Sequence, residues 1–239
     1  MAETVAFFRP DDERAAEAAD TLRELGVEPF SDPMLAVEPT GAAPREDAAY
    51  TVLTSKTGVE LARETGWAPG GEVVAIGTAT AGALEANGYR VDRVPAEYSS
   101  SGLVAELADD VAGRRVEVAR SDHGSAVLTD GLNGAGAYVH ETVLYRLVRP
   151  AGAGESAAAA AAGRLDGACF TSSLTVEHFL EAAAERGVRA GALEGLNRAV
   201  VGAIGEPTRE RAEACGIDVD VVPGAAEFEA LAASVVDRL

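Results

Sequence analysis

Lysine is almost absent from this chain: Lys56 is the only one, and all the other basic residues are arginines. Set against 39 acidic residues, the 20 basic ones leave a formal net charge of −19. A surface so acidic does not neutralise phosphates, which excludes non-specific nucleic-acid binding and docking on anionic lipid. It does keep a protein soluble in concentrated salt, where charge is screened within about 3 Å at 1 M. A salt-adapted, halophilic host is therefore expected. Cysteine is scarce as well. Cys169 and Cys215 stand in apolar or helical contexts and read as reduced, buried residues rather than a disulfide. Aromatics make up only 5% of the chain, so aliphatic side chains must fill the core. No apolar run approaches the roughly 18–20 residues that span a bilayer. The opening MAETVAFFRPDD has neither the basic start nor the apolar stretch of a signal peptide. The expected compartment is the cytoplasm, with no membrane partner.

The common chemical signatures are missing too. There is no Walker loop, and Gly77 to Gly82 is not the G-x-G-x-x-G dinucleotide fingerprint. His123, His140 and His178 lack metal-ligand spacing, and neither cysteine has a near partner. No G-x-S-x-G elbow occurs. Metal, nucleotide and serine-hydrolase chemistry are set aside.

What is present is alternation. Val5 to Phe8 is a strand-like run; Asp11 or Asp12 can then cap a helix whose apolar face is Ala15, Ala18, Leu22 and Leu25, stopped by Gly26. Tyr50–Leu53, Val73–Ile76 and Tyr89–Val94 read as further strands. Strands alternating with helices imply parallel βαβ units with helices on the sheet faces. The chain also repeats itself. Ala75-Ile-Gly-Thr-Ala-Thr80 recurs as Ala203-Ile-Gly-Glu-Pro-Thr208, and at the same shift of 128 Gly88, Val91, Val94 and Pro95 match Gly216, Val219, Val222 and Pro223. Leu53-Thr-Ser55 and Phe170-Thr-Ser172 lie 117 apart, and Val116–Arg120 echoes Val5–Arg9. The expected architecture is α/β: two five-stranded, flavodoxin-like halves facing each other across a cleft. A cut between repeats falls near residue 113. The linker-like stretches Val37–Pro44 and Pro150–Glu155, the latter followed by a helical alanine run (Ala157–Ala162), point instead to a discontinuous first domain. The expected bounds are 1–38 plus 151–239 for domain 1 and 39–150 for domain 2.

Hydroxyls and glycines gather where strands hand over to helices: Thr54 and Ser55; Gly77, Thr78 and Thr80; Thr171, Ser172 and Ser173; Gly205 and Thr208. Ligands of open parallel sheets bind beyond the carboxyl ends of the strands, and helix N-termini attract anions there. Singly, each of these residues is an ordinary N-cap worth about 1 kcal/mol. As a set repeated in both halves they suit a ligand carrying several carboxylates. Arg9 and Arg120 end equivalent strand runs, and Arg146 and Arg149 flank the second connector; a guanidinium grips carboxylates in a fork.

In their order and spacing these segments resemble the uroporphyrinogen-III synthase family. The resemblance runs through Arg9-Pro10, Leu53-Thr-Ser-Lys-Thr-Gly-Val59 in place of a Phe-Thr-Ser-x-Asn-Gly-Val run, and Ala75–Thr80. It continues through Tyr145, Phe170-Thr-Ser-Ser-Leu-Thr-Val176, Ala203–Thr208 and Pro223. Thr57 departs from it, standing where an asparagine is common. The resemblance implies two flavodoxin-like domains joined by a pair of strands, the first of them discontinuous. It also implies a monomer with hydroxymethylbilane, a linear tetrapyrrole bearing eight carboxylates, as its substrate. The reaction implied is closure with inversion of the last pyrrole ring and loss of water, a hydro-lyase step of haem biosynthesis that needs no cofactor. Tyr145 is the implied proton donor to the leaving hydroxyl, and the preceding pathway enzyme the implied transient partner. The competing reading is a non-catalytic two-lobed protein that binds a tetrapyrrole or small anion as a sensor or regulator. A receiver-type signalling domain, suggested by Asp11-Asp12, is rejected because Thr54-Ser55 stands where its phosphoacceptor aspartate belongs.

Overall fold

The computed structural model describes residues 2–239, which divide into two compact units. One runs to Ala36 and resumes from Val148 to Leu239; the other is Val37–Leu147.

In the first unit the order is β1 (Thr4–Phe7), α1 (Glu13–Glu24) and β2 (Glu28–Ser31), then α6 (Glu155–Ala161), β8 (Gly167–Phe170) and α7 (Ser173–Glu185). It closes with α8 (Arg189–Leu196), β9 (Val200–Ala203), α9 (Glu206–Ala214) and α10 (Phe228–Val236). The strands form one sheet, β2-β1-β8-β9, in parallel pairing throughout. Successive side chains of β1 alternate between faces: Val5 and Phe7 pack with Leu22, Phe228 and Leu231, while Ala6 and Phe8 pack with Phe170, Phe179 and Leu196. Both faces are covered, so the strand reads as a continuous apolar run. Each fully buried Leu or Phe contributes roughly 1.5–3 kcal/mol.

The second unit holds β3 (Ala36–Pro39), β4 (Tyr50–Leu53), α2 (Lys56–Glu64), β5 (Glu72–Ala75) and α3 (Thr78–Ala86). These are followed by α4 (Ser100–Leu107), β6 (Arg115–Ser121), α5 (Ala126–Gly134) and β7 (Tyr138–Val148). Its sheet is β3-β7-β6-β4-β5, with β4, β5, β6 and β7 parallel. If β6 is matched to β1, β7 to β2, β4 to β8 and β5 to β9, both sheets share the order 2-1-3-4 of a flavodoxin-like sheet. Within those four strands the two units differ in where the chain enters, as a circular permutation would leave them; the second sheet adds β3 at its edge. That entry point is why one family of repeats is shifted by 117–128 residues and the Val5/Val116 pair by 111.

Four expectations are corrected. Tyr89–Val94 is not a strand: the Asp92 carboxylate accepts the Val73 N–H at 3.0 Å and the Asp92 N–H donates to Val73 at 2.9 Å. Only Arg93 bridges to Val74. Asp220 does the same to Val201 in the first unit, at 2.8 Å for both bonds, and leaves only the Gly202–Val221 bridge. The expected fifth strand is therefore an aspartate-pinned loop in each unit, and the first sheet has four strands. Leu25 is off the apolar face; it is the C-cap of α1 and 37% exposed. Part of the supposed linker Val37–Pro44 pairs as β3 along β7, with Thr40 donating to Leu144 at 3.0 Å. Finally, Arg9 lies past the end of β1, whereas Arg120 lies inside β6.

Candidate functional site

The hydroxyl-rich turns fall where the sequence puts them, and the paired turns have the same backbone. Ser55 caps α2 at φ −156°, ψ 154° and Ser172 caps α7 at φ −164°, ψ 159°. Gly77 caps α3 at φ −171°, ψ 175° and Gly205 caps α9 at φ −169°, ψ 170°. All four lie just past the carboxyl end of a strand. The N–H groups of each first turn have no intrahelical acceptor, and at Gly77 and Gly205 no side chain caps them.

In the first unit, Ser172 forms a capping box with Thr175, and Ser173 donates to the Pro207 carbonyl at 3.0 Å, tying the β8–α7 turn to the start of α9. Thr171 is half-buried at the tip of β8, and Thr208 is buried. Pro207 removes one N–H from the α9 turn, and Glu206 sets an acid beside it. The Arg9 guanidinium lies 4.9 Å from the Phe228 ring centroid. Among the described residues its one hydrogen bond, to the Arg14 carbonyl, is long at 3.4 Å. Burial, then the Arg14 charge, lower its pKa from the ordinary value, but a guanidinium stays protonated. Arg9 is thus a loosely held cation.

In the second unit the constellation is tighter. The Ser55 hydroxyl accepts the Gly58 N–H at 3.0 Å and lies 3.0 Å from the Tyr145 hydroxyl. Thr54 is half-buried beside it; at the neighbouring turn Thr78 is exposed and Thr80 buried. Tyr145 comes from inside β7 and is 7% exposed. Consecutive strand residues normally face opposite ways, yet Leu144 and Tyr145 both belong to the cluster around Leu53, Val59 and Ala119. The reason is a break in register between Arg120 and Ser121, where Val143 pairs with Arg120 but Tyr145 with Ser121. Such a bulge re-aims a side chain. Asp122 pins it: its N–H donates to the Tyr145 carbonyl at 3.2 Å, and its carboxylate accepts the Leu147 N–H at 3.0 Å. Burial would raise the Asp122 pKa, but bonds from His123 and from the Leu147 N–H outweigh it and leave the carboxyl below its ordinary range.

Arg120, unlike Arg9, is committed. It is 4% exposed, with Nε on Glu141 at 2.8 Å and Nη1 on the Ser125 carbonyl at 2.6 Å. Arg149 pairs with Glu185, while Arg146 is exposed. Cys169 is wholly buried, and that burial pushes its thiol up to about 12, which leaves it inert. No group of three His, Cys, Asp or Glu among the described residues could hold a metal. Among the described residues no helix is long and apolar enough to cross a membrane. Sequence reasoning passed over Asp122 and also Tyr98, whose ring lies on Gly77; the signal for Tyr98 was its exception to the repeat, where Ala226 is the counterpart.

Two flavodoxin-like units with duplicated serine- and glycine-capped turns at their strand ends define the class as an α/β protein of parallel sheets flanked by helices. Within it the chain belongs to the uroporphyrinogen-III synthase family: residues 16–233 match the family described as uroporphyrinogen-III synthase HemD. A Methanothermobacter thermautotrophicus protein provisionally named uroporphyrinogen-III synthase is 31% identical over 230 residues, covering 89% of this chain and 90% of its own. One of the same provisional name from Archaeoglobus fulgidus is 28% identical over 220 residues, covering 91% of each. In fold the chain is similar to a mutant uroporphyrinogen III synthase from the extremely thermophilic bacterium Thermus thermophilus, with TM-score 0.68, 19% identity and coverage of 98% and 97%. It is also similar to the uroporphyrinogen-III synthetase of Helicobacter pylori, with TM-score 0.64, 15% identity and full coverage of both.

Proposed function

We propose that this chain is a working uroporphyrinogen-III synthase that closes hydroxymethylbilane, inverts the last pyrrole ring and releases water. The observation that carries the reading is the family match over residues 16–233, which takes in nearly all of both units. The geometry supports it. A substrate with eight carboxylates needs many N–H donors and few competing anions, and the capped turns at Ser55, Gly77, Ser172 and Gly205 offer such donors. Arg9 adds a loosely held cation, while Arg120 acts indirectly, holding Glu141 and the loop at Ser125.

The pyrrole nitrogen pushes out the hydroxymethyl oxygen as an acid protonates it. The C–O bond breaks, water leaves, and an azafulvene remains. Tyr145 is the proton donor in this reading; its hydroxyl lies against Ser55 at 3.0 Å, which fixes its direction. Attack by the substituted carbon of the last ring gives a spiro intermediate. That carbon's original bond then breaks to leave a second azafulvene on the adjoining ring, which the last ring's unsubstituted α-carbon attacks, losing its proton and closing the macrocycle in the inverted sense. Closure without inversion competes in free solution, so the protein's task is to position the chain, worth roughly 7–11 kcal/mol of barrier, and to exclude water. The reading includes hydro-lyase chemistry without a cofactor, a cytoplasmic monomer, and passage of the unstable substrate from the preceding enzyme.

The test supplies freshly generated hydroxymethylbilane to the purified chain in molar KCl and resolves the oxidised porphyrins by isomer. Type III product above the blank is expected. Type I alone from a folded protein would refute the synthase reading in favour of the non-catalytic binder.

A further inference from the structure

Tyr98 is one of five tyrosines in an aromatic-poor chain, and it is spent on the surface at 59% exposure. Its side chain packs on Gly77: a Cβ at position 77 would meet the Tyr98 Cγ at 3.1 Å and its Cβ and Cδ2 at 3.3 Å each. The loop that carries it is held on both sides. The Ser99 N–H and hydroxyl both bond Glu97, at 2.8 Å and 2.7 Å, and Ser99 caps α4 through the Gly102 N–H at 2.9 Å. Gly102 packs so closely on the Glu97 carbonyl that a Cβ there would fall 1.9 Å from it. The backbone that carries the ring is therefore held beside the Gly77 turn.

The other unit provides the internal comparison. At the shift of 128 that relates Gly77 to Gly205, α4 begins opposite α10 (Ser100 and Phe228), and Tyr98 falls opposite Ala226. Among the described residues a Cβ at Gly205 would meet only Pro207 Cδ, at 3.9 Å. The same glycine-capped turn thus carries an aromatic side chain in one unit and none in the other. The turn that carries it is also the one with no proline and no acid in its first helical residues, Thr78 and Ala79. A flat π-face beside free N–H donors is what a planar heteroaromatic ring bearing carboxylates would recognise.

Resting on the synthase reading above, we propose that Tyr98 is a specificity-determining residue. Its exposed face takes one pyrrole ring of the tetrapyrrole while the Thr78 and Ala79 N–H groups take that ring's carboxylate. A chain gripped at one ring presents its terminal ring in a fixed sense, so Tyr98 governs which carbon attacks.

The test uses the full chain in molar KCl and compares Tyr98→Phe, Tyr98→Leu and Tyr98→Ala with the wild type for KM, kcat, isomer ratio and Tm. Tyr98→Ala and Tyr98→Leu are expected to raise KM roughly 2- to 10-fold and to lower the type III to type I ratio. Tyr98→Phe keeps both near wild type, because the face is retained. The exposed ring leaves Tm nearly unchanged in all three, which separates contact from folding. Wild-type values of KM and isomer ratio in Tyr98→Ala would overturn the proposal alone, as would a Phe variant that fails as badly as Ala. A wild type that makes only type I product overturns the synthase reading and the proposal with it.

Discussion

Tyr145 carries the chemistry in this reading through one hydroxyl and one neighbour. It is buried, and Ser55 lies 3.0 Å away, itself fixed by capping α2. Tyr145→Phe keeps the ring packed with Leu53 and Val59 and removes only the donor. Losing such a bond costs about 0.5–1.5 kcal/mol of stability, whereas losing a general acid costs on the order of 10²-fold in rate. Turnover should therefore collapse while Tm moves only a few degrees, as initial rates and a thermal melt will show. Turnover unchanged in Tyr145→Phe would leave the tyrosine a packing role. At this scale the sequence was legible wherever a residue is read by type and place. Ser55, Ser172, Gly77 and Gly205 are caps because short polar residues and glycine are favoured there. It was not legible for Arg9 and Arg120. Both end a strand-like run, and only the contacts with Arg14, Glu141 and Ser125 show that one is loosely held and the other committed.

Between residues and units stand the elements, and the β7 bulge is the one that aims the site. Asp122 holds it just past Tyr145, through the Tyr145 carbonyl and the Leu147 N–H. Asp122→Ala leaves the Leu147 N–H without its acceptor and lets the register relax. A several-fold loss of kcat at little change in KM is expected, with Asp122→Asn largely restoring it, since the amide oxygen still accepts. Equal loss in both variants would mean that charge, not position, matters. The acid limb adds a check. The folded carboxyl titrates below its ordinary value, so its stabilisation is full above about pH 4 and fades as pH falls through the depressed pKa. The melting curve of Asp122→Ala should therefore be flatter than wild type on the acid side. No periodicity announces a bulge, and none announced that Asp92 and Asp220 would replace a fifth strand by hydrogen-bonding Val73 and Val201. Hydrophobic pattern reports which face is buried; it is silent on a carboxylate that substitutes for a ladder. The alanine run of α6 shows the converse. It was legible as a helix, but its purpose appears only in packing, where a Cβ at Gly195 of α8 would fall 1.8 Å from the Ala160 carbonyl.

For the whole molecule the governing quantity is charge. A net −19 over one chain is self-repulsive, and the ion pairs present do not offset it. Most, such as Arg23–Asp20 and Arg115–Asp47, are solvent-exposed and worth about 0–1 kcal/mol each. Adding salt weakens those few attractions slightly while it screens a larger number of repulsions, as the Debye length falls from about 10 Å at 0.1 M to 3 Å at 1 M. The sign follows: Tm should rise steeply between low and molar KCl, and refolding yield with it. General salting-out would raise Tm too, so the decisive comparison is a charge variant. Glu60, Glu64, Glu106, Glu181 and Glu210 are exposed and lie outside the ion pairs and the candidate site. Changing all five to glutamine removes five negative charges without touching the core. If repulsion limits stability, the variant melts higher than wild type at low salt, and the two curves converge at molar KCl. Parallel curves would assign the salt dependence to hydration of the apolar core, and equal Tm at low and high salt in the wild type would remove the case for a salt-adapted surface altogether.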